Sequence, residues 1–105
     1  MNDKTLLELA AKAAGIEIEL CHFGSSKSFF IVEDGRLIEQ WNPLKHDGDA
    51  LRLAVKLNLS IAIFVGYTPN CNDCNQVREE LNGDPYAATR RAIVRAAAEK
   101  GRGME

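Results

Sequence analysis

The sequence predicts an α+β domain, a layered sandwich in which three helices pack on a mostly antiparallel sheet of three or four strands. Apolar residues recur at helical spacing in three separate segments. Between the first two of these segments, apolar and polar residues alternate with the period of two that is typical of strands. With 105 residues and 46% hydrophobic content, the chain is expected to form one domain over residues 1–105.

A first helix is expected from about residue 4 to residue 14. Leucines and alanines share one face of this segment, and charged residues share the other. Asp3 or Thr5 is the expected N-cap residue, and Gly15 is the expected C-terminal stop. The apolar face then packs against the core.

Two glycine-containing turns divide the following stretch into short strands. Ile18 and Leu20 alternate with Glu17 and Glu19, which predicts a strand with one buried face and one wet face. We expect an antiparallel hairpin followed by a third short strand, at residues 16–23, 29–32 and 36–40.

The stretch Asp47-Gly48-Asp49 predicts the start of a second helix, over residues 48–57. From Ala50 to Leu57 only Arg52 and Lys56 are polar, so this helix is expected to be largely buried behind one narrow polar stripe. We interpret the two aspartates as helix caps and dipole partners, in preference to paired catalytic carboxylates.

The last third of the chain combines an apolar run, a cysteine-containing segment and a third helix. The run from Leu59 to Tyr67 predicts a central strand. An exposed loop is expected at about 67–83. Asp84 at the N-cap and Pro85 at the first helical position predict a helix over 85–100, after which residues 101–105 are expected to fray.

Charge is distributed unevenly along the chain. Residues 1–84 carry 8 basic and 13 acidic side chains, whereas residues 85–105 carry 5 and 2. The exposed stripe of Arg91 and Arg95 is therefore either a solvated helix face or a binding site for an anion. Arg90 falls on the apolar side of this helix, so we expect it to be at least half buried and paired with a carboxylate such as Asp47 or Asp49. A ligand-binding role for Arg90 is the alternative.

The motif Cys71-Asn72-Asp73-Cys74 admits three interpretations: a thiol redox centre, half of a metal site, or an incidental pair in a surface loop. A redox site needs a helix directly after Cys74 and, in a thioredoxin-like fold, a later strand pair that the remaining 31 residues do not predict. A metal site needs further ligands, and Cys21 and His22 are adjacent on a strand and point to opposite faces. We favour the incidental loop, with both thiols reduced and without metal.

No nucleophile, base and acid can be combined into a catalytic set. His46 lies in a polar turn, where a solvated role is expected. Trp41 is expected to anchor the core at the end of a strand, although Trp41 beside Asn42 also suits a flat ligand. We therefore predict neither an enzyme nor a bound cofactor.

Three segments resemble a family of small phage-encoded proteins described as an ABA (α/β/α) sandwich domain. They are "DKTLLELAAKAAGIE", "WNPLKHDGDALRLAVKL" and "GDPYAATRRAIVRAAAE", at residues 3–17, 41–57 and 83–99. The resemblance implies the fold, a phage origin and no catalytic activity. The positions that match the family pattern are Trp41, Asn42, Pro43, Asp47, Asp49, Ala50, Asp84, Pro85, Ala88, Arg91 and Ala92.

A small domain of this kind is expected to be a binding protein, a phage accessory or counter-defence factor in the host cytoplasm. A host protein is the favoured partner, bound through the acidic hairpin residues Glu17, Glu19, Glu33 and Asp34. An anionic small molecule or nucleotide on Arg90, Arg91 and Arg95 is the alternative. The net negative charge argues against duplex DNA, no apolar run is long enough to span a membrane, and a homodimer remains open.

Overall fold

The computed structural model describes residues 2–62, 70–72, 76–78 and 84–104. The predicted α+β fold is confirmed: three helices pack with a three-stranded antiparallel sheet in an arrangement consistent with a layered sandwich. A second small sheet is added to them. The elements in chain order are α1 (Asp3–Ala14), β1 (Ile18–Phe23), β2 (Ser26–Glu33), β3 (Arg36–Gln40), α2 (Asp47–Lys56), β4 (Ser60–Ala62), β5 (Asn70–Asn72), β6 (Gln76–Arg78) and α3 (Pro85–Gly103).

Helices α1 and α3 form the centre of the core. Their contact is rich in alanine, so the two backbones approach closely, and a Cβ atom added at Gly101 would lie 2.0 Å from the Leu9 carbonyl oxygen. The prediction that the chain frays from residue 101 is therefore wrong. Helix α3 continues to Gly103 because Gly101 is itself a buried contact with α1.

For α1 and α3, two of the three capping positions that the sequence predicts by name agree with the structure. Asn2 caps α1 by accepting a hydrogen bond from the Thr5 N–H at 2.8 Å, so the prediction of Asp3 or Thr5 as the cap is wrong. Gly15 ends α1 in the left-handed region at φ 70°, as expected. Asp84 caps α3 as predicted, accepting from the Ala87 N–H at 3.0 Å.

The first sheet has the order β1-β2-β3. Its inner face packs on the helices through Ile18, Leu20, Phe29 and Ile31. Strand β2 begins earlier than predicted, at Ser26, because Gly24 and Ser25 alone complete the hairpin turn.

Helix α2 is not largely buried, contrary to the prediction. Ala50, Leu53 and Ala54 face the core, whereas Leu51 is 60% exposed. Asp49 is turned inward instead, and the N-cap position belongs to His46, whose side chain makes no capping hydrogen bond. The aspartates are thus not caps, although both lie in the first turn, where the helix dipole favours negative charge.

The second sheet has the order β4-β5-β6 and contacts α3. Within the described residues, β4 ends this sheet, so the prediction of a central strand does not hold for its three residues. Residues 63–67 of the predicted strand lie outside the described part. The segment predicted as a loop contains β5, which holds Cys71, and β6. Residues 76–78 are therefore strand, where a redox site would need a helix, and Cys74 lies outside the described residues.

Candidate interaction surface

The face of the first sheet that points away from the core carries the most distinctive surface of the described chain. The register pairs Glu19 with Phe30, Cys21 with Ser28, and Phe30 with Gln40, so these side chains share one side of the sheet. We name this side the outer face. Its members are Glu17, Glu19, Cys21, Phe23, Ser26, Ser28, Phe30, Val32, Leu37 and Gln40.

Apolar side chains form the middle of the outer face. The rings of Phe23 and Phe30 meet edge to face, with centroids 5.7 Å apart. Phe23 is nevertheless 59% exposed, and Leu37 of β3, which pairs with Val32 on the same face, is 47% exposed. Exposed aromatic and aliphatic side chains that are contiguous mark interaction sites more often than isolated ones do.

Carboxylates border this apolar centre at one end of the sheet. Glu17, directly before β1, and Glu19, on β1, are exposed. Glu33 and Asp34 are exposed at the turn into β3, where Arg36 is the accompanying cation. The remaining polar groups of the outer face are bonded locally, since Gln40 Nε2 donates to Ser28 Oγ at 3.0 Å. The outer face therefore combines an aromatic centre with an acidic border.

Of the predicted site residues, only Glu17 and Glu19 belong to the outer face. The wet face that the alternation predicts does not include Phe23, Phe30 or Leu37. A signal was available: Phe23 continues the alternation of Glu17 and Glu19, and a Phe29-Phe30 pair on one strand must place one ring on each face.

Arg90 fulfils the prediction of burial and pairing. Its side chain is 16% exposed, its Nη1 donates to Asp47 Oδ1 at 2.6 Å, and its Nε donates to the Leu44 carbonyl at 2.9 Å. These contacts join α3 to the turn before α2. The guanidinium is thereby engaged within the fold.

Trp41 and Asn42 also act inside the protein. Trp41 is 3% exposed, so its ring presents no face to a flat ligand, and its role as a core anchor is confirmed. Asn42 organises the turn before α2: its side chain accepts from the Leu44 N–H at 3.0 Å, and its own N–H donates to Asp49 Oδ2 at 3.0 Å.

The basic stripe of α3 is separate from the outer face. Arg91 is partly exposed and pairs with Asp3 of α1 at 3.2 Å, and Arg102 pairs with Glu99 at 2.9 Å. Arg95 is exposed between them. This stripe is a second charged surface that already contains carboxylates.

No group of three or more His, Cys, Asp or Glu side chains suited to a metal ion occurs within residues 2–62, 70–72, 76–78 and 84–104. Cys21 and His22 lie on opposite faces of β1, as the alternation requires. The predicted metal site also requires Cys74 as a ligand, and Cys74 lies outside the described residues.

No protein-family model, curated protein or solved structure matches the chain. Across the described residues, no helix is long and apolar enough to cross a membrane.

Proposed function

We propose that this chain is a non-enzymatic protein-binding module and that the outer face is its binding site. The observation that carries the proposal is the Phe23–Phe30 pair, which leaves aromatic surface exposed beside Glu17 and Glu19. Aromatic side chains dominate the energetics of protein interfaces, because they bury a large area and lose little conformational entropy.

The partner that suits this surface is a protein with a cationic, partly apolar patch. Carboxylates at the border of an interface raise the association rate and select the partner's charge, while the aromatic centre supplies most of the affinity. Duplex DNA does not suit an acidic surface, because neutralisation of phosphates drives such binding.

The resemblance to a phage-encoded sandwich domain directs the proposal to a bacterial host. In that setting the partner is a host protein with a basic groove, such as one that normally holds nucleic acid. The module then acts as an accessory or counter-defence factor in the host cytoplasm by occupying that groove.

The alternative of an anionic small molecule on α3 has less support. Arg90 is engaged with Asp47 and Leu44, and Arg91 with Asp3. An anion at the basic stripe must compete with these carboxylates, which weakens the site.

Capture from host lysate tests the proposal. The immobilised wild-type chain is compared with a Glu17→Lys/Glu19→Lys variant. Arg91→Glu/Arg95→Glu is the matched control, and Cys71→Ser/Cys74→Ser is a third variant. Mass spectrometry identifies both proteins and co-purified small molecules. We expect the glutamate variant alone to lose the partner; loss in the arginine or cysteine variant, with the glutamate variant unaffected, would refute the proposal.

A further inference from the structure

Within the described residues, β1 lies at the edge of the first sheet, and its side away from β2 is not paired with another strand. The Val32 N–H donates to the Glu17 carbonyl at 2.9 Å, so the odd-numbered residues of β1 exchange their main-chain hydrogen bonds with β2. The main-chain N–H and C=O groups of Ile18, Leu20 and His22 therefore point in the plane of the sheet, away from β2 and toward the open edge. Within the described residues, β2 is the strand that neighbours β1, and β1 ends the sheet.

The opposite edge, β3, is built differently. Its register with β2 skips Ile38, which makes a one-residue bulge. Bulges twist an edge strand and prevent it from pairing with another chain. Strand β1 has an unbroken register from Ile18 to Phe23 and contains no proline. The sheet thus has one regular edge.

We propose that β1 pairs antiparallel with β1 of a second copy, across a two-fold axis at Cys21. Leu20 of each copy then lies opposite His22 of the other, and their outward N–H and C=O groups bond to each other. The two sheets become continuous, and their outer faces lie on the same side. The inference does not depend on the proposed function.

Repulsion between like charges favours this register. Glu17, directly before β1, and Glu19 lie on the outer face near the start of the strand, whereas His22 and its partner Lys27 lie on the opposite face, so the carboxylates on the outer face decide which register is favoured. If the two-fold axis lay at Leu20, the two Glu19 side chains would lie within about 8 Å of each other on one face of the combined sheet. With the axis at Cys21, the two Glu19 residues are about 14 Å apart.

The asymmetry between the two edges also sets the size of the assembly. Once β1 is paired, the combined sheet ends on both sides at a bulged β3. An isologous contact of this kind closes as a dimer, whereas a sheet with two regular edges could grow without limit.

Sedimentation equilibrium with edge variants tests the dimer. Wild type is expected to sediment with twice the mass of the chain. His22→Pro removes an N–H that the monomer does not use, so circular dichroism should not change, while the dissociation constant should rise more than about 30-fold. His22→Ala, the matched control, keeps the N–H and should remain dimeric.

A disulfide between the two copies of Cys21 tests the register of the proposed β1–β1 pairing. The Cys21 Cα lies about 4.5 Å from that of the second copy in a non-hydrogen-bonded antiparallel pair, within the range of about 4.4–6.8 Å that disulfides span. In a Cys71→Ser/Cys74→Ser background, copper–phenanthroline, which accepts the two electrons, should cross-link the chains through Cys21. A control with Cys21→Ser and Ile38→Cys should stay uncross-linked.

These measurements decide the proposal even if the proline variant fails to fold, because the cross-link needs only cysteine changes. A monomer at every concentration would overturn it. So would a dimer that His22→Pro leaves intact, a mass beyond the dimer, or cross-linking through residue 38 in place of Cys21.

Discussion

Arg90 on α3 and Asp47 at the start of α2 are joined by a 2.6 Å ion pair in which the arginine is nearly buried and the aspartate is 69% exposed. The same guanidinium donates to the Leu44 carbonyl. One side chain therefore fixes the turn before α2 against the last helix.

Arg90→Ala is expected to lower the free energy of unfolding by about 2 kcal/mol, because it removes a charge-assisted hydrogen bond and a second bond to a carbonyl. The loss should fall short of the roughly 3–5 kcal/mol of a fully buried pair, since Asp47 can be hydrated again. Asp47→Ala should cost less than about 1 kcal/mol, because Arg90 keeps its contact with Leu44. Urea denaturation measures both, and an equal or larger effect of Asp47→Ala would contradict this account.

Gly101→Ala is expected to destabilise the fold by more than about 2 kcal/mol, although alanine is the better helix former by about 1 kcal/mol. The added Cβ would meet the Leu9 backbone at 2.0 Å, so α1 and α3 must separate. Gly103→Ala is the matched control: it lies on the same helix and its added Cβ meets nothing within 4 Å. Thermal unfolding should show a lower Tm for the first variant and an unchanged or higher Tm for the second.

Asp49→Ala is expected to cost about 2–3 kcal/mol, because the Asn42 N–H loses its acceptor in a site where Asp49 is only 7% exposed. Asp49 also accepts from Arg52 at 2.6 Å, but that guanidinium is exposed and can return to water. Arg52→Ala should therefore cost less than about 1 kcal/mol. If urea denaturation showed the same loss of stability for both variants, the hydrogen bond from the Asn42 N–H would not be the main contribution of Asp49 to stability.

Asp84→Ala is expected to lower the free energy of unfolding by about 1 kcal/mol, since it removes the acceptor for the Ala87 N–H at the start of α3. Asp84→Ser retains a capping oxygen and should recover most of that loss. An alanine variant as stable as wild type in the same urea titration would show that the cap contributes nothing to the fold.

Local signals in the sequence were sufficient for some features of the fold. Gly15 and Asp84 were correctly predicted because a stop and a cap depend on a few adjacent residues. Arg90 was correctly predicted because the helical period alone places it among Ile93, Val94 and Ala97.

Features that depend on distant partners were not predictable in this way. The orientation of α2 is set by Asp49, which is buried because the Asn42 N–H and Arg52 satisfy it. Periodicity treats an aspartate as a surface residue and so leaves Leu51 on the buried side. The continuation of α3 through Gly101 likewise depends on the close approach of Leu9, from the other end of the chain.

The outer face shows the same limit. Alternation predicts that one face of β1 is wet, but it does not show that Phe23 and Phe30 meet on that face. Their contact depends on the register between β1 and β2 and on the two small residues, Cys21 and Ser28, that pair between them.

The affinity of the captured partner for two matched variants tests the outer face most directly. Phe23 and Leu51 are almost equally exposed, at 59% and 60%, but only Phe23 belongs to the outer face. By isothermal titration calorimetry, Phe23→Ser is predicted to weaken binding at least about 10-fold, and Leu51→Ser to leave it unchanged. Weakening by Leu51→Ser with Phe23→Ser unaffected would contradict the account and assign the partner to α2.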